Sequence, residues 1–152
     1  MAVRTQTLCM IFDEKRILLG KKKRKLGAGR WNGFGGNVEP GETIEQAAIR
    51  EVSEEICVQV HDIKPRGAIT FTSDVFADTL VVHMFVASRF SGEPQETEEM
   101  TPRWFPKDKI PYQEMWPDDI LWLPHVLAGK SVSGAVHFKD MNTIKSHTIK
   151  IY

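Results

Sequence analysis

The stretch REVSEE, residues 50–55, puts Arg50, Glu51, Glu54 and Glu55 into six consecutive positions of what otherwise patterns as an amphipathic helix. An α-helix advances about 100° per residue, so the three glutamates fall within about 100° of one another, beside Ile44, Ala47 and Ala48. Gln46 and Ser53 lie on roughly the opposite side, the solvated arc. Like charges at this spacing cost a few tenths of a kcal/mol, and acids near a helix C-terminus oppose the macrodipole. A solvated face is the ordinary reading of acidic residues on a helix, yet these share their side with small and apolar residues. A hard divalent cation resolves the conflict, because Mg²⁺ takes oxygen ligands and tolerates several carboxylates. The cluster therefore reads as a metal site, with Arg50 placed to orient one of the carboxylates.

The residues before and after the cluster extend the pattern. Gly36, Glu42, Arg50-Glu51-Val52, Glu54-Glu55 and Val58 stand at fixed spacing in GNVEPGETIEQAAIREVSEEICV, residues 36–58. This segment resembles the signature of the Nudix hydrolases. One position departs: the family usually has glycine where Cys57 stands, a place that suits a left-handed residue closing the helix. Cys57 touches helix-end geometry rather than the chemistry.

The resemblance implies an α/β protein of the Nudix fold, an α/β/α sandwich with a mixed β-sheet, that hydrolyses a nucleoside diphosphate linked to another group. By that match Glu51, Glu54, Glu55 and the carbonyl of Gly35 hold Mg²⁺, with Mn²⁺ as a possible substitute. The same three glutamates form the implied catalytic set, in which Glu54 or Glu55 helps activate water. Metal ions in such sites neutralise phosphate charge and lower the pKa of a bound water. Glu99, in QETEEM (95–100), matches a further ligand in related enzymes, although that loop alone would be a solvated turn.

Two other stretches, GAGRWNGFGG (27–36) and MWPDDILW (115–122), resemble the branch of the family that hydrolyses oxidised purine nucleoside triphosphates such as 8-oxo-dGTP. With LLGKKKR upstream and TPRWF downstream, that likeness spans about residues 5–128 and is weak over the tail. It implies hydrolysis of 8-oxo-dGTP, and possibly 2-hydroxy-dATP, to the monophosphate and pyrophosphate. The alternative is another nucleotide: a modified adenine dNTP, ADP-ribose or a dinucleoside polyphosphate.

The residue types suit a base pocket. Trp116 offers a flat apolar face for a purine, with Phe71 or Leu26 on the opposite wall. Asn32 supplies a donor and an acceptor for the purine edge. Asp118 and Asp119 are adjacent acids beside an aromatic, where one retained proton would let the pair both donate and accept. The competing role for the pair is helix capping, which needs only one aspartate. Thr7 and Lys22 match nucleotide-contacting positions, and Gly35, Gly36, Leu80 and Pro117 complete the implied substrate set. Leu26 and Leu80 replace a phenylalanine and a methionine of the mammalian relatives, which reshapes the pocket wall. Lys22 lies in KKKRK (21–25), which could equally be a solvated basic face or a localisation signal.

The elements that must position these groups follow from patterning. Thr5 to Phe12 and Arg16 to Leu19 read as strands around a polar turn at Asp13 and Glu14. A helix is expected from about Thr43 to Ile56, and a second from WPDD (116–119) to about Leu127. Val60 to Phe71 and Thr79 to Ser88 read as longer strands, PRWFP (102–106) as a short one, and the tail as a hairpin. The chain, 152 residues and 41% hydrophobic, suits one domain, residues 1–152.

Lys+Arg and Asp+Glu both total 20, a balance that argues against a polynucleotide partner. No apolar run approaches the ~20 residues of a membrane span, and MAVRTQTLCMIF lacks the marks of a signal peptide. Cys9 and Cys57 are isolated, and no His/Cys spacing suggests zinc. The expectation is a monomer in a reducing cytoplasm, with a nucleoside triphosphate as its substrate.

Overall fold

The computed structural model describes residues 2–152. Strand β1 (Val3–Phe12) turns at Asp13, whose Oδ1 accepts the N–H groups of Lys15 at 2.9 Å and Arg16 at 2.7 Å, into antiparallel β2 (Arg16–Lys22). β1 is buried on both faces: Met10 enters one hydrophobic core while Cys9 and Ile11 enter another. A strand with that pattern belongs in the middle of a sheet covered on both sides.

The remaining strands assemble around it. β3 (Trp31–Asn32) is a two-residue strand on β2, helix α1 spans Ile44–Ile56, and β4 (Gln59–His61) follows. Then come β5 (Lys64–Ser73), β6 (Thr79–Ala87), β7 (Arg89–Ser91) and β8 (Met100–Pro106). Helix α2 (Asp119–Leu127) precedes the hairpin of β9 (Val132–Asp140) and β10 (Thr143–Ile151). The large sheet runs β10-β9-β5-β6-β1-β2-β3, with β8 also on β2, and β1–β6 and β5–β9 are its parallel pairs.

One core, containing Val52 and Ile56 of α1, lies on one face of this sheet, and the other, containing Trp122 and Val126 of α2, lies on the opposite face. The layers are α/β/α around a mixed sheet, as the resemblance implies. α1 begins at a full capping box: Thr43 Oγ1 accepts from Gln46 N–H, and the Gln46 side chain accepts from Thr43 N–H. Its end is a left-handed Cys57 at φ 63°, so the turn that glycine usually makes is kept with a cysteine.

One expected element is divided. Val60 to Phe71 is broken at Asp62, which adopts φ 51° and takes an ion pair from Arg89 at 2.7 Å. The left-handed residue turns the chain out of the main sheet, so β4 pairs with β7 in a separate two-stranded ribbon. α2 starts at Asp119, leaving Trp116 in the turn before it.

Candidate active site

A cavity of about 220 Å³ opens between the sheet and α2 and runs toward the C-terminal half of α1. At the α1 end the carboxylates are unequal. Glu55 is buried, Glu51 is partly buried, and the Glu54 side chain is 59% exposed, so the shared apolar side expected for all three holds only for the first two. Arg50 gathers the rest. Its guanidinium donates to both Glu42 oxygens at 2.6 and 2.9 Å, to Glu51 at 2.9 Å and to Glu54 at 3.2 Å, and also to the carbonyl of Asn37 at 3.0 Å. Charge-assisted bonds of this kind fix geometry as well as charge. Arg50 holds Glu42 down to about 2.

Glycines bring the loop against this cluster. A Cβ at Gly35 would lie 1.8 Å from the Thr7 carbonyl oxygen, and one at Gly36 would lie 2.6 Å from the Glu51 carboxyl carbon. Side chains at either position would drive the loop off β1 and out of reach of α1. As it stands, Gly35 N–H donates to Glu55 Oε1 at 2.9 Å, and Gly36 gives its carbonyl to Thr7 N–H at 2.9 Å. Burial, and then the charge of Glu51, push the Glu55 carboxyl up to about 8, against the opposing pull of Gly35 N–H and Lys22. Burial raises Glu51 as well, opposed by Arg50.

Among the described residues no three His, Cys, Asp or Glu side chains already converge as a metal-binding group. Arg50 accounts for that, since it draws Glu51 and Glu54 toward itself. The donors still fit a hard divalent cation: they are all oxygen, and the charge of Glu51 raises the proton affinity of Glu55, a repulsion that a cation between them would relieve. Glu99 lies close enough for its charge to be felt at Glu51 and Glu55, but its carboxylate is held by Arg24 at 2.6 Å.

That contact also involves the basic run. Lys23 pairs with Glu96 and Arg24 with Glu98 and Glu99, while Lys22 lines the cavity. Part of the run folds against the acidic loop 96–99, while Lys21, Lys22 and Lys25 make no ion pair among the described residues.

The other end of the cavity is sealed. Asp118 and Asp119 are each 2% exposed. Asp118 Oδ2 accepts the Trp122 indole N–H at 2.8 Å, and Asp119 Oδ2 is buried with no partner among the described residues. Neither acid caps the helix: Asp118 stands at the N-cap position with helical dihedrals and makes no side-chain cap bond. The capping role considered for the pair is therefore not the one it plays. Burial first, and then the charge of Asp118, hold the Asp119 carboxyl well above the usual carboxylate range. Burial raises Asp118 too, but the Trp122 indole N–H stabilises its charged form, so Asp119, which lacks such a donor, is the acid held further above the usual range.

Asn32 faces the pair from β3. Its Oδ1 accepts Gly33 N–H at 2.8 Å, which fixes the amide and leaves its NH₂ group as donor. Trp116, Phe71, Leu26 and Leu80 form apolar walls, and Thr7 adds a buried Oγ1 that also lacks a partner among the described residues.

Of the residues assigned to substrate in the sequence, Thr7, Lys22, Leu26, Asn32, Gly35, Gly36, Phe71, Leu80, Trp116, Asp118 and Asp119 line this cavity, joined by Glu55. Pro117 does not. It lines a separate depression beside Arg30 and Asn142, because the turn into α2 directs it away from the aspartates. The sequence reading missed Phe138, which packs 5.8 Å from the Trp116 ring and 6.2 Å from Phe71. Its signal was the alternation of Val132, Val136 and Phe138 along β9, but only the β5–β9 pairing places that face in the cavity.

Comparison with known proteins agrees with this geometry. A family model described as the NUDIX domain matches residues 3–126. An oxidized purine nucleoside triphosphate hydrolase of Mus musculus is 44% identical across 97% of this chain and 94% of its own length. A protein of the same description from Danio rerio is 46% identical across 94% of this chain and 92% of its own. Among solved structures, a mutator MutT protein from Bacillus halodurans superposes with a TM-score of 0.86 at 25% identity, covering 97% of each chain. A MutT NUDIX hydrolase from Burkholderia pseudomallei gives a TM-score of 0.68 at 30% identity, over 72% of this chain and 87% of its own.

Proposed function

The chain belongs to the Nudix family, and from that premise we propose that it hydrolyses oxidised purine nucleoside triphosphates, 8-oxo-dGTP foremost, to the monophosphate and pyrophosphate. It is a Nudix hydrolase, and enzymes of this family act on nucleotides and generally use divalent metal ions. The observation that carries the finer reading is Asp119: a sealed acid with an unpartnered Oδ2 in a cavity whose far end is Glu55. A buried polar atom left unpaired is costly, and a purine edge is the ligand that would satisfy it here.

In this reading the base stacks on Trp116. Protonated Asp119 donates to it, ionised Asp118 accepts, and the Asn32 amide donates from the third side. Lys22 attracts the phosphates toward Gly35 and Gly36. Glu51, Glu54 and Glu55 would hold Mg²⁺ or Mn²⁺ together with the Gly35 carbonyl, which takes no hydrogen bond among the described residues. Glu99 could join them on leaving Arg24. Bound there, the cation would neutralise phosphate charge and lower the pKa of a water. Arg50 holds Glu51 and Glu54 in place, and Glu54 or Glu55 would take the proton of that water, Glu55 only once a bound cation has ionised it.

The free thiols Cys9 and Cys57 suit a reducing cytoplasm, where the nucleotide pool is found, and the protein is read as a monomeric single domain. No described helix is long and apolar enough to cross a membrane.

A panel of nucleotides assayed with Mg²⁺, Mn²⁺ and chelator tests the function. The expected result is preference for 8-oxo-dGTP over dGTP, with turnover lost in chelator while the base still binds. Stronger hydrolysis of 2-hydroxy-dATP would move the preference to adenine and point to the leucines at 26 and 80. Preference for ADP-ribose or a dinucleoside polyphosphate would overturn the proposal.

A further inference from the structure

The soft torsion of an aromatic side chain leaves its ring plane to be set by whatever packs against it. On Trp116 that packing comes from three parts of the chain. Gly27, at φ 88°, leaves room for the indole edge, where an added Cβ would sit 3.3 Å from the ring. Phe138 of β9 meets the ring at 61°. The Arg30 guanidinium lies over the ring face, its Cζ 4.2 Å from the centroid.

Arg30 is itself tied down from the far side. Its Nη2 donates to the Met141 carbonyl at 2.7 Å and to Asn142 Oδ1 at 2.6 Å, both in the turn between β9 and β10. Its Nη1 is buried and has no partner among the described residues. An arginine that only braced a surface turn would keep that nitrogen in water, and a broken local rule of this sort marks a site where another demand wins. The demand here is the contact of its charged head with the indole face.

We propose that Arg30 is a positioning residue for base stacking: fastened to the β9–β10 turn, it fixes the plane of Trp116 against which the purine lies, and so makes the C-terminal hairpin part of substrate selection. The inference rests on the base-pocket reading above. Two features support it independently of one another. The hairpin contributes Phe138 to the same ring, so one element holds Trp116 both directly and through Arg30. The charge of Arg30 also pulls both aspartates toward ionisation, which opposes their joint protonation.

The test compares Arg30→Ala, Arg30→Lys and Trp116→Ala in the full chain with Mg²⁺, measuring kcat and KM for 8-oxo-dGTP and dGTP. Protein labelled with 5-fluorotryptophan reports the ring itself by ¹⁹F NMR without nucleotide, the Trp116 signal being assigned with Trp116→Phe. Arg30→Ala is expected to raise KM for 8-oxo-dGTP roughly tenfold, with kcat within about twofold, and to move the Trp116 resonance alone. Arg30→Lys keeps the charge but not the planar fork, and should fall between the two. If Arg30→Ala does not fold, Arg30→Lys decides: a raised KM supports the proposal and a wild-type KM overturns it. Wild-type KM and an unmoved resonance in folded Arg30→Ala, alongside a raised KM in Trp116→Ala, would overturn this inference alone. An unchanged KM in Trp116→Ala would bring down the base-pocket reading, and this inference with it.

Discussion

At one end of the cavity the carboxylates of α1 are surrounded by donors: Arg50 on Glu51 and Glu54, Gly35 N–H on Glu55, and Lys22 nearby. At the other end Asp118 and Asp119 have the Trp122 indole N–H and each other. The chemical group is the same and the outcome differs with its surroundings. Glu54 reaches solvent, Glu51 meets the Arg50 guanidinium, and buried Glu55, raised to about 8, would give up its proton on binding a cation. Sealed Asp119 instead holds its proton despite the charge of Arg30. The first condition suits phosphate chemistry through a metal, and the second suits reading a base by donating as well as accepting. One cavity therefore carries two acidic sites that do unlike work.

The predictions that separate the two ends begin with the largest effect. Glu55→Gln should cut turnover by roughly 10²–10⁴-fold while 8-oxo-dGTP affinity changes far less. Glu54→Gln should lose less, because Glu54 reaches solvent and Glu55 is buried against Gly35. Single-turnover rates beside equilibrium binding would check this, and wild-type turnover in both variants would remove the metal site from α1.

Asp119→Ala should act in the opposite sense, costing ~1–3 kcal/mol of 8-oxo-dGTP affinity by stranding an edge of the base. Turnover at saturation should change little. A loss of kcat at unchanged affinity would mean that the aspartates belong to the chemistry and the two ends are not distinct.

The retained proton also leaves a mark on stability. Asp119 titrates higher folded than unfolded, so the folded protein holds a proton that the unfolded chain releases above about 4. Its contribution therefore falls as pH rises from that value toward the folded one. Asp119→Asn removes that slope, and denaturation midpoints of variant and wild type should diverge in that window. Parallel curves would take the proton away from Asp119.

Lys22→Ala is expected to have the smallest effect, a loss of a few-fold in affinity that is the same for 8-oxo-dGTP and dGTP. A point charge on the phosphates carries little base information. Unequal losses for the two nucleotides would move Lys22 into the base end of the cavity.

The two ends also differ in how far they could be read from the residues alone. The α1 cluster is local: its spacing lies within one helix, its cap is Thr43, and its end is Cys57 in the expected left-handed turn. Even there, sequence periodicity grouped Glu54 with buried Glu55, since a helical wheel does not show where the neighbouring layer ends. Asp118, Asp119, Trp116 and Asn32 were legible as residue types that suit a base. Their electrostatics were not, because the burial of Asp119 depends on contacts between segments far apart in the chain. Phe138 and Arg30 needed the β5–β9 pairing and the β9–β10 turn, which are long-range products of the fold. The break at Asp62 was hidden because β-branched residues continue on either side of it.

The assignment of donor and acceptor within the aspartate pair is tested most directly by replacing each acid with its amide. Asparagine can imitate a protonated aspartate as donor, but it cannot supply a charged acceptor. Equilibrium affinity for 8-oxo-dGTP, measured with metal at neutral pH, should therefore stay within a few-fold of wild type in Asp119→Asn. In Asp118→Asn it should fall by roughly 10- to 100-fold. Equal losses in the two variants, or the larger loss in Asp119→Asn, would contradict a proton held on Asp119 and used to read the base.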